Sequence, residues 1–168
     1  LLRSVLEVKR FLVKSITSYS MRYVYKHSDV YEVLSPSFIE LFKKFTGIKN
    51  PTKLVAQTNP ITIDRSVQSE KITDVDKKEK EIIYVGRLDI VQKRVYRVIN
   101  TWNYLEERFP DWRLTIVGDG EDRENLENHV RCLGLKRVSF EGFQKPLNYY
   151  KRASILLLAS DFEGFPLV

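Results

Sequence analysis

The second half of the sequence alternates short apolar runs with amphipathic segments, and this pattern constrains the fold more than any other feature. Each apolar run ends abruptly in glycine or polar residues, and helical periodicity fills the intervals between the runs. The predicted strands are 82–85, 114–117, 138–140 and 155–158, and the predicted helices are about 93–109, 122–133 and 147–152. Strands and helices that alternate at this spacing form a parallel, doubly wound sheet. We therefore predict an α/β fold with helices on both faces of the sheet.

The first third of the sequence predicts a different arrangement. Residues 1–27 have the period of an amphipathic helix. Its apolar stripe consists of Leu1, Val5, Val8, Leu12, Ile16, Tyr19 and Tyr23. Short strands are predicted at 30–34 and 53–56, and a helix between them begins at Ser35-Pro36 and ends at Gly47. The long helix either packs on its own domain or lies against a membrane by its basic face.

A polar segment separates the two regions. Residues 64–80 are charged and have no apolar period, which is typical of a linker between domains at 1–63 and 81–168. The linker contains Asp74-Val75-Asp76, a triplet that resembles the aspartate pair that holds a divalent metal in one class of sugar transferases. No predicted strand presents the triplet and four lysines surround it, so we predict no metal site. The chain has no initiating Met and opens inside a helical pattern, so we expect a fragment that lacks sequence at both ends.

The net charge of +6 comes entirely from one half of the chain. Residues 1–80 contain 15 Lys and Arg against 9 Asp and Glu, whereas residues 81–168 contain 13 of each. This asymmetry favours a surface that meets something anionic, such as a membrane face, over a nucleic-acid-binding domain. A solvated basic helix is the simpler alternative.

The single cysteine, Cys132, cannot form an internal disulfide. It shares a helical pattern with Leu126, Val130 and Leu133, so we expect a small core residue in a reducing, cytoplasmic setting.

The residues that end the first predicted strand are suited to binding an anion. Gly86 and Arg87 end that strand, and Lys93 opens the helix that follows. Two cations beside a helix N-terminus can bind phosphate, because fixed charges and free N–H groups act together. Ordinary surface cations are the alternative explanation.

Glycines and an acid end the other strands. Gly118, Asp119 and Gly120 follow the second strand, where closely spaced glycines let the backbone approach a ligand, and Gly142 follows the third. After the fourth strand, the Glu163 carboxylate can accept hydrogen bonds from sugar hydroxyls. The N–H groups of Gly164 and Phe165 can donate to hydroxyl or phosphate oxygens. A surface acid in a turn is the simpler interpretation of Glu163.

These motifs occur in a defined order along residues 81–168. They are Tyr84-Val85-Gly86-Arg87-Leu88, Gln92-Lys93, the run from Leu114 to Gly120, Phe140-Glu141-Gly142 and the run from Ser160 to Pro166. As a set they resemble the retaining glycosyltransferases of the GT4 family (group 1), which have the GT-B fold. Residues 29–63 resemble the segment that closes the N-terminal domain of that family.

The resemblance implies two Rossmann-like domains with an active site in the cleft between them. The N-terminal domain would hold a glycan or glycolipid acceptor, and the C-terminal domain would hold a UDP- or GDP-linked sugar. Arg87 and Lys93 match the residues that neutralise the donor pyrophosphate, and Glu163 matches the first of two paired glutamates, near the donor sugar. The second would fall at position 171, beyond Val168. The loop after Gly142, with Phe143 and Gln144, matches the base-binding loop.

The function that follows from the resemblance is sugar transfer with retention, without a metal or other cofactor. Cell-envelope polysaccharide or lipopolysaccharide assembly is the expected setting, in the cytoplasm or at the inner face of its membrane. One departure is Arg94, since the family usually has glycine after the lysine; it either adds a cation or is tolerated on a helix surface. We expect the fragment itself to be inactive. The alternative is a non-catalytic module that binds a nucleotide sugar, a membrane or a partner.

Overall fold

The computed structural model describes residues 2–60, 74–163 and 166–168, with the backbone alone for residues 2–10 and 75. The chain divides into two compact units, Leu1–Thr62 and Ile63–Pro166. We call these the N-terminal unit and the C-terminal unit. The assignment of an acceptor-side role to the first and a donor-binding role to the second stays a prediction.

The N-terminal unit combines two helices with a two-stranded sheet. Its elements are α1 (Leu2–His27), β1 (Tyr31–Val33), α2 (Pro36–Thr46) and β2 (Leu54–Ala56), and β1 pairs in parallel with β2. The ends of α2 are those that the sequence predicts. The Ser35 hydroxyl caps its start by accepting the N–H of Ser37, and Gly47 ends it in the left-handed conformation at φ 74°.

Helix α1 packs on its unit by a different face from the predicted apolar stripe. Among its described side chains, those of residues 11–27, Ser18, Met21 and Tyr25 are part-buried, and the Tyr25 ring lies 5.5 Å from that of Phe42. The stripe lies on the opposite side of the helix and is more than half exposed at Leu12, Ile16, Tyr19 and Tyr23. The helix thus packs on its own unit, which is one of the two predicted alternatives, but in the described residues the contact is made by the face of Ser18, Met21 and Tyr25 rather than by the stripe.

The C-terminal unit is a four-stranded parallel sheet with helices on both faces. After a 3₁₀ turn at Val75–Lys77 come β3 (Glu79–Val85), α3 (Val95–Leu105), β4 (Arg113–Val117), α4 (Arg123–Cys132), β5 (Val138–Gly142), α5 (Leu147–Arg152) and β6 (Ala153–Leu156). The strand order is β5-β4-β3-β6, and every pair is parallel. The doubly wound sheet is thus as predicted, although β3 begins at Glu79 and takes in the last two residues of the predicted linker.

Alternating side chains of the central strands build the two layers of the core. Ile82 and Tyr84 point to the face that α3 and α4 cover, where Trp102 is 1% exposed. Ile83 and Val85 point to the opposite face and pack with Tyr149 and Tyr150 of α5. Each fully buried apolar side chain of this kind stabilises the fold by roughly 1.5–3 kcal/mol.

Two apolar features are more exposed than their sequence indicates. The last apolar run forms a strand, β6, that begins two residues earlier than predicted. This strand lies at the sheet edge and pairs only with β3 among the described strands, so Ile155 and Leu156 are 44% and 39% exposed. Cys132 is exposed because the last turn of α4 carries it away from the face that Leu126 and Val130 bury.

Among the helices of the described residues, none combines the length and the apolar composition that crossing a bilayer requires.

Candidate functional site

The strand order of the C-terminal unit places its site at one point of the sheet. The chain runs outward from β3 through β4 to β5 and then returns to the other side of β3 as β6. The loops that follow the carboxyl ends of β3 and β6 therefore diverge, and such a switch point is where open α/β sheets bind ligands. The loop after β3 is residues 86–94 and the segment after β6 is residues 157–163, and we call them the first loop and the terminal segment.

An ion pair joins the first loop to the terminal segment. Lys93 Nζ of the first loop donates to Glu163 Oε1 of the terminal segment at 2.6 Å, and these side chains are 23% and 24% exposed. The hydrogen bond from Lys93 holds the pKa of Glu163 below its ordinary value. The structure thus brings together two of the three predicted catalytic residues, 70 positions apart in sequence.

The third predicted residue, Arg87, is held by the first loop itself. Its Nη2 donates to Asp89 Oδ2 at 2.9 Å and to Gln92 Oε1 at 3.5 Å, and its side chain is 61% exposed. Asp89 is fixed because its Oδ1 accepts the N–H groups of Val91 and Gln92, both at 2.7 Å. Those backbone hydrogen bonds, led by that of Gln92, lower the pKa of Asp89. The guanidinium therefore keeps donors free for an incoming anion.

The buried ring of Tyr84 anchors the same loop from below. Its hydroxyl donates to the carbonyl oxygen of Arg87 at 2.8 Å. Burial, and then the negative charge of Glu163, raise the pKa of Tyr84, so the hydroxyl stays protonated and stays a donor. Sequence reasoning missed both Asp89 and Tyr84 as supports of the site, because no local pattern shows that their side chains turn back onto the loop.

Close contact between loops explains two of the predicted glycines. The N–H of Leu88 donates to the carbonyl oxygen of Asp119 at 3.0 Å. A Cβ on Gly118 would lie 1.9 Å from the carbonyl oxygen of Gly86, and a Cβ on Gly120 would lie 2.3 Å from that of Leu88. These positions need glycine for the approach of protein backbone, a reason that the sequence interpretation, based on ligand approach alone, did not include.

A cleft of about 420 Å³ opens beside these loops. The predicted site residues that line it are Gly86, Arg87, Gly118, Asp119, Phe143 and Gln144. Phe143 is 88% exposed and stands at the rim. Gly142 lies beneath, where its carbonyl oxygen accepts the N–H of Gly118 at 2.8 Å. Lys93, Gly120 and Glu163 lie outside this lining, and the predicted Gly164 and Phe165 lie outside the described residues.

Arg94 has an unusual backbone, which corrects the predicted start of α3. Its φ of 52° and ψ of 39° are left-handed, and it is the only non-glycine residue with positive φ among those described. The helix therefore begins at Val95, and Lys93 belongs to the loop rather than to the first turn. One of the two predictions for Arg94 placed it on a helix surface, and this prediction is wrong because the residue precedes the helix. This conformation costs roughly 1–2 kcal/mol in a non-glycine residue.

Two arginines hold the terminal segment through one carboxylate. Arg94 Nε and Arg97 Nη1 each lie 2.6 Å from a different oxygen of Asp161. The hydrogen bond from Arg94, followed by that from Arg97, lowers the pKa of Asp161. The sequence singled out Asp161 only as part of a motif, and nothing in its spacing indicated these partners.

The aspartate triplet at 74–76 lies away from these loops in sequence and shows no cluster of ligands. Asp74 and Asp76 are exposed, and Asp74 Oδ1 accepts the N–H of Asp76 at 3.4 Å. Across the described residues, no group of three or more His, Cys, Asp and Glu side chains is placed to hold a metal ion.

Cations, a carboxylate and a cleft at the carboxyl ends of parallel strands form the arrangement in which open α/β sheets bind ligands. Residues 66–168 match the family described as glycosyl transferases group 1, and the chain belongs to this family. The predicted family is thereby confirmed.

Individual relatives agree with this assignment. The chain is 33% identical over 115 residues to a lipopolysaccharide 1,6-galactosyltransferase of Salmonella typhimurium, a match that covers 65% of the chain and 31% of that protein. It is similar to the structure of the lipopolysaccharide outer core galactosyltransferase WaaB, with TM-score 0.59 and 28% identity over 84% of the chain and 40% of WaaB.

A third comparison concerns the fold alone. The structure of Anabaena HepE in complex with UDP-glucose gives TM-score 0.66 at 16% identity, covering 88% of the chain and 43% of HepE. These likenesses confirm the predicted α/β fold of GT-B type. The chain spans between about a third and two fifths of the length of these proteins.

Proposed function

We propose that the chain is the donor-binding part of a GT4-type glycosyltransferase. The whole protein would transfer a sugar from a UDP- or GDP-linked donor to a glycan or glycolipid acceptor, in cell-envelope polysaccharide or lipopolysaccharide synthesis. The observation that carries the proposal is the Lys93–Glu163 pair at the switch point, with the exposed Arg87 guanidinium on the same loop as Lys93. The names of the Salmonella relative and of WaaB, and the UDP-glucose bound to HepE, support the same activity.

The chemistry requires charge stabilisation at the donor phosphates. When the nucleoside diphosphate leaves, negative charge grows on its β-phosphate, and preorganised cations and N–H groups lower the barrier. Arg87 has free donors beside the cleft, and Lys93 can exchange its carboxylate partner for a phosphate oxygen. In this proposal the two cations supply the positive charge, and the reaction needs no metal and proceeds with retention; the family resemblance supports both points.

Glu163 and the cleft would bind the two ends of the donor. The Glu163 carboxylate, released from Lys93, can accept hydrogen bonds from sugar hydroxyls. The cleft beside Gly118 and Asp119 leads to the exposed Phe143 ring, on whose face a nucleobase can stack. The donor would thus extend from the cleft, past Arg87, to Lys93 and Glu163.

Nucleotide binding tests the proposal. We expect UDP or GDP to bind the chain weakly in titrations followed by NMR, and Arg87→Ala combined with Lys93→Ala to weaken that binding at least about tenfold, since two charge-assisted contacts are lost. The matched control is Lys43→Ala combined with Lys80→Ala, which removes two cations from surface pairs outside these loops. Equal affinity in the two double variants would contradict the proposed donor site.

Turnover separates the enzyme from the alternative of a non-catalytic binding module. We expect no transfer from any sugar nucleotide by this chain, because it spans at most about two fifths of the relatives' length. We expect transfer by the whole protein, abolished by Glu163→Gln. A whole protein that binds donor but transfers nothing would support the binding module instead.

We also propose that α1 contacts an anionic membrane surface, at the inner face of the cytoplasmic membrane. The apolar stripe of Leu12, Ile16, Tyr19 and Tyr23 faces away from the rest of the N-terminal unit. Exposed cations at Arg22 and Lys26 accompany it on the helix, and all the net positive charge of the chain lies in residues 1–80. An exposed apolar stripe with cations beside it fits an anionic lipid surface.

Vesicle flotation tests the membrane contact. We expect the chain to float with phosphatidylglycerol vesicles but not with phosphatidylcholine vesicles. Charge reversal at Arg22 and Lys26, or Ile16→Asp alone, should abolish flotation. The absence of flotation with both lipids, or flotation that survives these changes, would overturn the proposal and favour another protein segment as the cover of the stripe.

A further inference from the structure

We propose that Arg94 is a positioning residue of the donor site, which aligns Lys93 with Glu163 by fastening the first loop to the terminal segment through Asp161. The proposal rests on the donor site described above. It concerns how this chain holds that site, and it assigns a role to a residue whose side chain is outside the cleft.

The first observation is that Arg94 keeps an unfavourable backbone where glycine would be free of strain. Its φ is 52°, and no other non-glycine residue among those described has a positive φ. Strain of this kind persists when the surroundings impose it, and it is concentrated at functional sites. The left-handed turn also separates Lys93 from the helix, so the lysine side chain approaches the terminal segment from the loop.

The second observation is the arrangement of contacts around Asp161. Both of its carboxylate oxygens are paired, one with Arg94 and one with Arg97. Its N–H donates to the carbonyl oxygen of Gln92 at 2.9 Å. In addition, Gln92 Nε2 donates to the carbonyl oxygen of Phe162 at 3.3 Å. The neighbours of Lys93 in the first loop are therefore hydrogen-bonded to the two residues that precede Glu163 in the terminal segment.

These contacts restrict the position of Glu163 more than its own ion pair does. Glu163 is two residues beyond Asp161, and Lys93 directly precedes Arg94. A partly exposed ion pair alone is a weak restraint because water competes for it. Because Asp161 is held by its contacts with the first loop, Lys93 and Glu163 are already close to each other when the donor binds, and both groups are in position to contact it.

The experiment compares three single variants in the 168-residue chain. Arg94→Gly permits the left-handed backbone but removes the side chain, Asp161→Asn keeps the backbone and removes the charge, and Arg94→Lys keeps a cation. The first readout needs no nucleotide: the pKa of the Glu163 carboxyl, followed by ¹³C NMR and assigned with Glu163→Gln. The second readout is the affinity for UDP and GDP, and the third is the midpoint of thermal unfolding.

We expect Arg94→Gly and Asp161→Asn to raise the pKa of Glu163 toward its ordinary value and to weaken UDP binding about tenfold. Thermal stability should change little. The double variant of Arg94→Gly and Asp161→Asn should be no worse than Asp161→Asn alone, since both changes remove the Arg94–Asp161 contact and Asp161→Asn also weakens the pair with Arg97. Arg94→Lys should keep most of the binding. An unchanged pKa of Glu163 in Arg94→Gly and in Asp161→Asn would overturn the proposal and leave Arg94 a backbone feature only.

Failure of the donor site gives a different result. If the wild-type chain binds neither UDP nor GDP, the proposed function fails. The pKa of Glu163 still reports whether Arg94 aligns the pair, so this readout supports or overturns the positioning role by itself.

Discussion

Ion pairs lie at both ends of the strands of the parallel sheet. We call the end where the strands begin the amino edge and the end where they finish the carboxyl edge, and the pairs at the two differ in exposure. At the amino edge, Glu81 is 0% exposed and accepts hydrogen bonds from Thr115 Oγ1 at 2.5 Å, from Arg113 Nε at 3.2 Å and from two nitrogens of Arg152 at 2.8 and 2.9 Å. At the carboxyl edge, the Lys93–Glu163 pair is about a quarter exposed.

The difference separates a structural pair from one that can exchange partners. Three side chains of two neighbouring elements, β4 and α5, donate to the Glu81 carboxylate, which is too deeply buried for a ligand to reach, and removing it leaves those donors without their acceptor. Lys93 and Glu163 reach water, so replacing their contact with a phosphate and a sugar hydroxyl costs little. Changes at the amino edge should therefore affect stability, and changes at the carboxyl edge should affect binding.

The largest effect is expected at the buried carboxylate. Glu81→Ala leaves Thr115, Arg113 and Arg152 without their shared acceptor and should lower the free energy of unfolding by about 3 kcal/mol. Chemical denaturation measures this. The control is Asp111→Asn, which breaks an exposed pair with Lys80 and should change stability by less than about 0.5 kcal/mol. Similar values for the two variants would remove the contrast between buried and exposed pairs.

The next largest effect is expected where the loops touch. Gly118→Ala places a Cβ 1.9 Å from the carbonyl oxygen of Gly86 and should cost about 2 kcal/mol while displacing the wall of the cleft. Gly134→Ala is the matched control, since Gly134 has a φ of 69° but a Cβ added there would have no atom within 4 Å; it should cost about 1 kcal/mol. Thermal unfolding and UDP titration of both variants test this. Loss of UDP affinity should accompany Gly118→Ala alone.

A smaller effect follows from the pH dependence of the amino edge. Burial raises the pKa of Glu81, but hydrogen bonds from Arg152 and Thr115 outweigh burial and leave the pKa below its ordinary value of 4.5. Because the pKa of Glu81 is lower in the folded state than in the unfolded state, the ionised carboxylate stabilises the fold above about pH 4.5. This contribution to the free energy of unfolding is lost as the pH falls through the folded-state pKa. Unfolding free energies measured across the acid range should show this loss. In Glu81→Gln the curve should be flatter, and a parallel curve would contradict this assignment.

The smallest change in stability is expected at the carboxyl edge. Lys93→Met and Glu163→Gln should each change the free energy of unfolding by about 0.5 kcal/mol. Their effects on the affinity for UDP should differ. Lys93→Met removes a phosphate partner and weakens binding, whereas Glu163→Gln frees Lys93 and leaves binding equal or tighter. A large loss of stability in either variant would show that this pair, like that of Glu81, is structural.

Sequence pattern predicted the elements better than it predicted their exposure. The period and the end signals of α2 were enough, because capping and amphipathicity are local properties. The most apolar run of the sequence became the half-exposed edge strand β6, and the apolar stripe of α1 faces outward. Hydrophobicity alone does not say which neighbour will cover a strand or a helix face.

The candidate site divides in the same way. Arg87, Lys93 and Glu163 could be predicted from sequence because charged residues after parallel strands meet at one edge. Their supports could not be, since Tyr84, Asp89 and Asp161 act through contacts that turn back on a loop or cross between loops.

The sequence by itself determined the order of strands and helices and the residue types at each strand end, since these depend on local periodicity and on chain direction. Only the tertiary structure decided that the chain reverses at β3, that Lys93 meets Glu163 there, and that Arg94, in a left-handed turn, pairs with Asp161. These features depend on pairing and packing between residues about 70 positions apart, and no local preference of the chain specifies such contacts.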